Sequence, residues 1–230
     1  SQAFVAGSQS GVKYLGTLVP EGSSEAKGID DRGTVMGVAT APCASGLCSE
    51  GTLVRRTFVW TEKEGMRDLQ SPQGSFPEML GLDMNDRGEV AGIAYSPLDQ
   101  RAFLWSEREG ATFFSCLGRC PGFARLNERG DVIGWYIMLG FGTGSFMWTE
   151  RTGTQPITGW GGSATQALDI NRQDEVVGFV NAPNAGSRPF YWSEETGIVA
   201  LAESGGRANA INDRGVIAGT TGGRPVVWQP

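Results

Sequence analysis

Histidine is absent from the chain, so a Ser-His-Asp triad is impossible. No apolar run approaches the roughly 20 residues of a membrane span, and a soluble chain without membrane insertion is expected. Basic residues are few and scattered singly, and the formal net charge is −6. Nucleic acid and anionic membrane surfaces both need a positive face and are therefore poor partners. No nucleophile elbow, P-loop or Gly-rich dinucleotide motif stands in a strand-to-helix context. The Asp-containing turns lack the alternating carboxylates of an EF-hand, which speaks against calcium loops. No cofactor is implied.

Cysteine is also scarce, with four residues in two tight pairs, Cys43/Cys48 and Cys116/Cys120. Both pairs lie in loops containing Gly or Pro. Two local disulfides are the favoured reading, ahead of a four-thiolate zinc site or free thiols. Loops this small restrict the unfolded chain modestly, so they would fix loop shape more than global stability. Oxidised cysteines imply an exported, extracellular or periplasmic location. The first residues, Ser1-Gln2-Ala3, are those expected of a mature or trimmed product, with any signal peptide outside the chain.

Glycine, by contrast, is abundant at 35 residues, and only 19% of residues are charged. That mixture suits a turn-rich β protein. Its organisation is repetitive. Five segments match: Ile29-Asp30-Asp31-Arg32-Gly33, Met84-Asn85-Asp86-Arg87-Gly88, Leu126-Asn127-Glu128-Arg129-Gly130, Ile170-Asn171-Arg172-Gln173-Asp174 and Ile211-Asn212-Asp213-Arg214-Gly215. Each precedes an apolar strand with a second glycine, at Gly37, Gly92, Gly134, Gly178 and Gly219. An aromatic strand follows, ending in Trp60, Trp105, Trp148, Trp192 or Trp228, spaced by 45, 43, 44 and 36 residues.

The spacing predicts a four-stranded unit: strand A up to the turn, strand B after it, strand C with the Phe-x-Trp pattern, and a short strand D. Asn or Asp caps the turn through its side chain, and glycine takes the left-handed position. Asp174 stands where the other copies have glycine, and aspartate is among the few residues that tolerate that conformation. Val35, Val90, Val132, Val176 and Ile217 alternate with their neighbours as strand residues do. The repeated tryptophans are read as core.

The expected fold is all-β, a five-bladed β-propeller of four-stranded antiparallel blades in a single domain, 1–230. The last blade, 207–230, holds strands A, B and C. The N-terminal strand 12–18 aligns with the D strands and would complete that blade and close the circle. Ala3 to Ala6 resembles one further C strand.

The pattern Ile-Asn-Asp-Arg-Gly-x-Val-x-Gly, then Arg101-Ala102-Phe103-Leu104-Trp105, then Leu15-Gly16-Thr17-Leu18, resembles the HAF repeat of bacterial extracellular proteins. The likeness covers nearly the whole chain. The His of that motif is lost in every copy, as in Arg101-Ala102-Phe103 and Arg188-Pro189-Phe190. The resemblance implies an exported bacterial protein and carries no activity or catalytic residues.

The A–B and C–D turns are short and uniform, whereas the B–C and D–A connections vary, and variable loops on a rigid frame are where binding chemistry sits. Candidate ligand-binding residues there are Trp160, Tyr136, Phe141, Glu78, Gln166 and Arg207. Aromatic faces beside polar groups suit a sugar ring. The blander reading has Trp135 and Phe141 packing between blades. Weaker catalytic candidates are Asp83, Arg125 and Asp169, which break the repeat before the turn. Two carboxylates flanking an arginine are either a hydrolase's acid and base or a satisfied ion cluster. The expected function is a secreted, lectin-like binding module taking a glycan. The alternatives are a protein–protein adhesion or scaffold module, with Ile137 to Phe141 as its apolar patch, and a carboxylate-dependent glycoside hydrolase or lyase. The partner is then a glycan or an extracellular protein, and the chain a monomer that is more a binder than an enzyme.

Overall fold

The computed structural model describes residues 1–7, 11–43, 46–69, 75–120, 122–138, 142–160, 164–182, 186–203 and 205–229. The chain divides into two compact units, Ser1–Phe113 and Phe114–Pro230. No α-helix occurs among the described residues.

The first unit opens with the hairpin β1 (Ala3–Gly7) and β2 (Gly11–Gly16). Strands β3 (Ser24–Ile29), β4 (Val35–Pro42), β5 (Leu53–Thr61) and β6 (Gly65–Asp68) pair antiparallel in chain order. So do β7 (Glu78–Met84), β8 (Val90–Tyr95), β9 (Gln100–Ser106) and β10 (Gly110–Phe114). One parallel pair, Arg56↔Met79, joins the two four-stranded sets. The buried Thr57 hydroxyl rivets that seam. It donates to the Met79 carbonyl at 2.7 Å and accepts from the Gly81 N–H at 2.5 Å.

The second unit repeats the plan with β11 (Ala124–Leu126), β12 (Val132–Met138), β13 (Gly142–Thr149) and β14 (Gly153–Ile157). Next come β15 (Ala164–Ile170), β16 (Val176–Ala182), β17 (Gly186–Ser193) and β18 (Gly197–Ala200). The last sheet has three strands, β19 (Gly206–Ile211), β20 (Ile217–Thr221) and β21 (Arg224–Trp228). Here Ser145, at the repeat position of Thr57, makes the rivet. Its N–H donates to Thr165 Oγ1 and its hydroxyl accepts from the Ala167 N–H, both at 2.8 Å.

The A-to-D plan read from the repeats is thus present. Strand β2 pairs with β1, since neighbours joined by a short connection pair locally.

Each A–B turn folds for the reason the sequence suggests. The Oδ1 of Asp30, Asn85, Asn127, Asn171 and Asn212 accepts the N–H groups two and four residues on, at 2.7 to 3.1 Å. One side chain therefore satisfies two backbone donors that the reversal would orphan. The fourth turn residue is left-handed throughout, with Asp174 at φ 64° among the glycines.

The second repeat glycine has a different cause. A Cβ at Gly92 would lie 2.2 Å from the Leu80 carbonyl oxygen and 2.7 Å from the Phe103 ring. Strand A is bulged beside it, between Gly81 and Asp83, and a bulge brings that backbone inward. Phe58, Phe103, Phe146 and Phe190 are fully buried on the same glycines or their neighbours, each contributing about 2–3 kcal/mol of burial. Trp60, Trp105 and Trp148 are buried as expected, while Trp192 and Trp228 are half-buried.

The cysteines are paired as Cys43–Cys48 and Cys116–Cys120, with Cα–Cα distances of 6.2 and 5.9 Å. The second loop is anchored by reciprocal backbone bonds between Arg119 and Ile137, at 3.1 and 2.9 Å.

Candidate functional site

The first strands of the three sheets in the second unit, β11, β15 and β19, run side by side, and their register places a set of aromatic and polar side chains in one strip. On β15, Gln166 sits opposite Phe179 of β16, so the two share a face. Arg207 of β19 lays its guanidinium over the Phe179 ring, 4.3 Å from the centroid. On the neighbouring sheet Phe123 meets Trp135 at 6.3 Å between centroids. Arg125 caps Phe123 at 5.4 Å. Arg125 and Phe123 lie two residues apart, and the strand period puts them on one face.

Asp169 extends the strip. Burial pushes its carboxyl above the usual range, opposed by the N–H groups of Ile211 and Ile170 and by the Arg125 charge. The Ile211 N–H donates to its Oδ2 at 2.8 Å. Arg125 and Asp169 are therefore an electrostatic pair. Asp83 belongs to the first unit, where it lies half-buried opposite Ala91.

The remaining sequence candidates fall as follows. Trp160 is exposed, at 36%, immediately after Thr158 and Gly159 and before the strip's β15. Tyr136 is buried, which corrects its reading as an exposed ligand contact. The residue opposite it is Gly144, where other repeats carry Arg56, Arg101 or Arg188, and the ring fills the vacated space. Phe141 lies outside the described residues, together with Leu139 and Gly140; of Met138 only the backbone is described. Glu78, in the first unit, accepts the Arg55 N–H at 3.3 Å. It also faces Tyr95 across the ladder, where burial first and the Glu78 charge second push the Tyr95 hydroxyl pKa up.

Sequence reasoning named Gln166, Arg207, Arg125 and Asp169 but not Phe123 or Phe179, and it gave packing as the blander reading of Trp135. Their signal was the residue next to each second glycine, Trp135 and Phe179, where Val38, Ile93 and Thr220 stand in other copies. Among the described residues no group of His, Cys, Asp or Glu is arranged to hold a metal ion. No described helix is long and apolar enough to cross a membrane.

No protein-family model matches the chain, and no curated protein does. Among solved structures the chain is similar to TolB from Acinetobacter baumannii, with 12% identity and a TM-score of 0.55 over 97% of this chain and 55% of that one. The chain thus spans about half the length of that protein. AofleA from Arthrobotrys oligospora matches with 9% identity and a TM-score of 0.41, over 94% of this chain and 71% of that one. An arginine-to-alanine triple mutant of AofleA gives 11% and 0.42 with the same coverage. At these identities the TolB likeness speaks for the fold alone, a propeller-like arrangement of four-stranded antiparallel sheets.

Proposed function

We propose that the chain is an exported carbohydrate-binding module related to the HAF-repeat proteins. Its units form the blades of a five-bladed propeller, in which the strand at 12–18 completes the segment 207–230. The ligand lies on the strip of first strands in the second unit, on the side of the variable loops.

The observation that carries this reading is the half-buried pair of Trp135 and Phe123 capped by Arg125, one sheet away from Gln166 and from Arg207, whose guanidinium is held over the buried Phe179 ring. A sugar needs an apolar face for its C–H groups and donors and acceptors for its hydroxyls. The guanidiniums supply fixed donors, and the Gln166 carboxamide supplies one acceptor and two donors. The exposed Trp160 offers a further ring at the start of the same strand. Two disulfides support export. The hydrolase reading has less to support it, because Asp169 is engaged by the Ile211 N–H and by Arg125.

A glycan array probed with the wild type, Gln166→Ala and Trp160→Ala tests this. Gln166→Ala is expected to lose the signal and Trp160→Ala to weaken it, with circular dichroism unchanged. A folded wild type silent on the array, or full binding by Gln166→Ala, refutes the site.

A further inference from the structure

On the side of the A–B and C–D turns, grooves lie between neighbouring sheets. Three such grooves use equivalent repeat positions. One, of about 450 Å³, is lined by Val5, Gly7, Gly33, Trp60 and Glu62. The next, of about 430 Å³, is lined by Val59, Thr61, Gly88, Trp105 and Glu107. The third, in the second unit, has about 300 Å³ and is lined by Met147, Thr149, Asp174, Trp192 and Glu194. Each thus has a strand-C residue from one sheet, and the fourth turn residue, a tryptophan and a glutamate from the next.

In the first two a basic residue on strand D bonds the glutamate. Lys13, paired in register with Val5, bonds Glu62 at 2.5 Å and lies 5.2 Å over the Trp60 ring. Arg67, paired with Val59, grips Glu107 with two bonds of 3.1 and 2.6 Å. Trp60 and Trp105 in these two grooves are buried, at 6% and 9% exposure. In the third groove the same position is Gln155, paired with Met147. Its Nε2 donates to the Thr152 carbonyl at 3.0 Å. Among the described residues Glu194 is bonded by Arg151 from the hairpin, 3.3 Å away with both side chains exposed, and by no strand-D side chain. Trp192 is half-buried.

A second departure falls in the same groove. Asp174 replaces the glycine of the other turns and holds a left-handed backbone, a conformation that costs a non-glycine residue. In return a carboxylate enters the groove wall, held by the Arg129 guanidinium at 3.2 Å and by the Asn127 amide at 2.9 Å. On its far side lies Asp131, 7% exposed.

We propose that this groove is a second ligand site, which takes a single sugar unit with vicinal hydroxyls. The exposed edge of Trp192 would meet the ring's C–H groups. Asp174 and Glu194 would accept from its hydroxyls, and Arg151 and Gln155 would donate to them. A volume of about 300 Å³ is at the small end of ligand pockets, which fits one ring and not an oligosaccharide. The site shares no residue with the strip of first strands and does not depend on it.

The test restores the repeat pattern. Gln155→Arg reinstalls the strand-D bond seen at Arg67–Glu107, and Asp174→Gly returns the turn to glycine. Both are changes that other copies in this chain already tolerate. Methyl glycosides of glucose, galactose, mannose and N-acetylglucosamine are titrated by saturation-transfer NMR with Gln166→Ala, in which the strip of first strands is disabled, and with both groove variants made on that background. At least one sugar is expected to bind the Gln166→Ala protein with a Kd of about 1 mM, typical of a weak single site. Each groove variant is expected to weaken that binding at least tenfold, with Asp174→Gly unfolding at a higher temperature. The proposal is overturned if none of the four sugars binds the Gln166→Ala protein, or if binding survives both groove variants.

Discussion

Replacing Asp131 by Asn should make the protein more stable at neutral pH and flatten its stability between pH 4 and 6. Asp131 follows the third A–B turn, with a side chain only 10% exposed. Burial, then the hydrogen bond and the charge of Asp174, push its pKa from 3.8 up to about 6, against the opposing pull of Asn127 and Arg129. The folded state therefore holds a proton that the unfolded chain releases near pH 4, so stability falls as pH rises through this window. A shift of about two units at 1.36 kcal/mol each amounts to roughly 3 kcal/mol of stability, present below pH 4 and lost above pH 6. Asn keeps an acceptor for Asn127 and supplies a permanent donor toward Asp174. The contact it gives up, with Arg129 at 3.5 Å, involves a guanidinium 58% exposed and is worth little. Urea denaturation of both proteins at pH 4, 5, 6 and 7.5 provides the measurement. The difference should be near zero at pH 4 and grow to about 2–3 kcal/mol in favour of the variant at pH 7.5. Asp68 and Asp169 are also raised, chiefly by burial, but they are common to both proteins and cancel. Two parallel curves, or a variant less stable at pH 7.5, would refute the shared-proton geometry.

Two further substitutions probe the frame. Asn127→Ala orphans the buried N–H of Asp131 and that of Arg129. It also removes the Nδ2 bonds to the Asn171 carbonyl at 3.0 Å and to Asp174 at 2.9 Å. A cost of about 3–5 kcal/mol is expected, against about 1 kcal/mol for Asn212→Ala, whose turn is exposed and can be rehydrated; equal melting shifts would contradict this. Gly92→Ala should cost at least about 2–3 kcal/mol, since its Cβ would lie 2.2 Å from a carbonyl oxygen, and an unchanged urea midpoint would count against the close approach.

Much of the frame is legible in the residues themselves. The Asn/Asp-x-x-Gly turns, the buried valines after them and the Phe-x-Trp strands follow from local rules: a side chain that caps two N–H groups, a left-handed position, and a period of two. Asp174 obeys the same logic, because aspartate tolerates the conformation its turn demands. The disulfides are equally local, as each joins residues only 5 or 4 apart.

What the sequence alone left open depends on contacts between residues far apart in the chain. Whether Tyr136 points outward or inward was decided by Gly144 across the ladder. The strip of Phe123, Trp135, Gln166, Phe179 and Arg207 exists because three first strands lie side by side in one register, which no single repeat encodes. Gln155 looks like an ordinary surface residue until its counterparts Lys13 and Arg67 are seen bonding the glutamates of their grooves. Local spacing set the turns and strands of this protein, because backbone hydrogen bonding and side-chain alternation act within a few residues. The packing of one sheet against the next decided which side chains meet and which groove glutamates are bonded from strand D, because those contacts join residues about 40 apart.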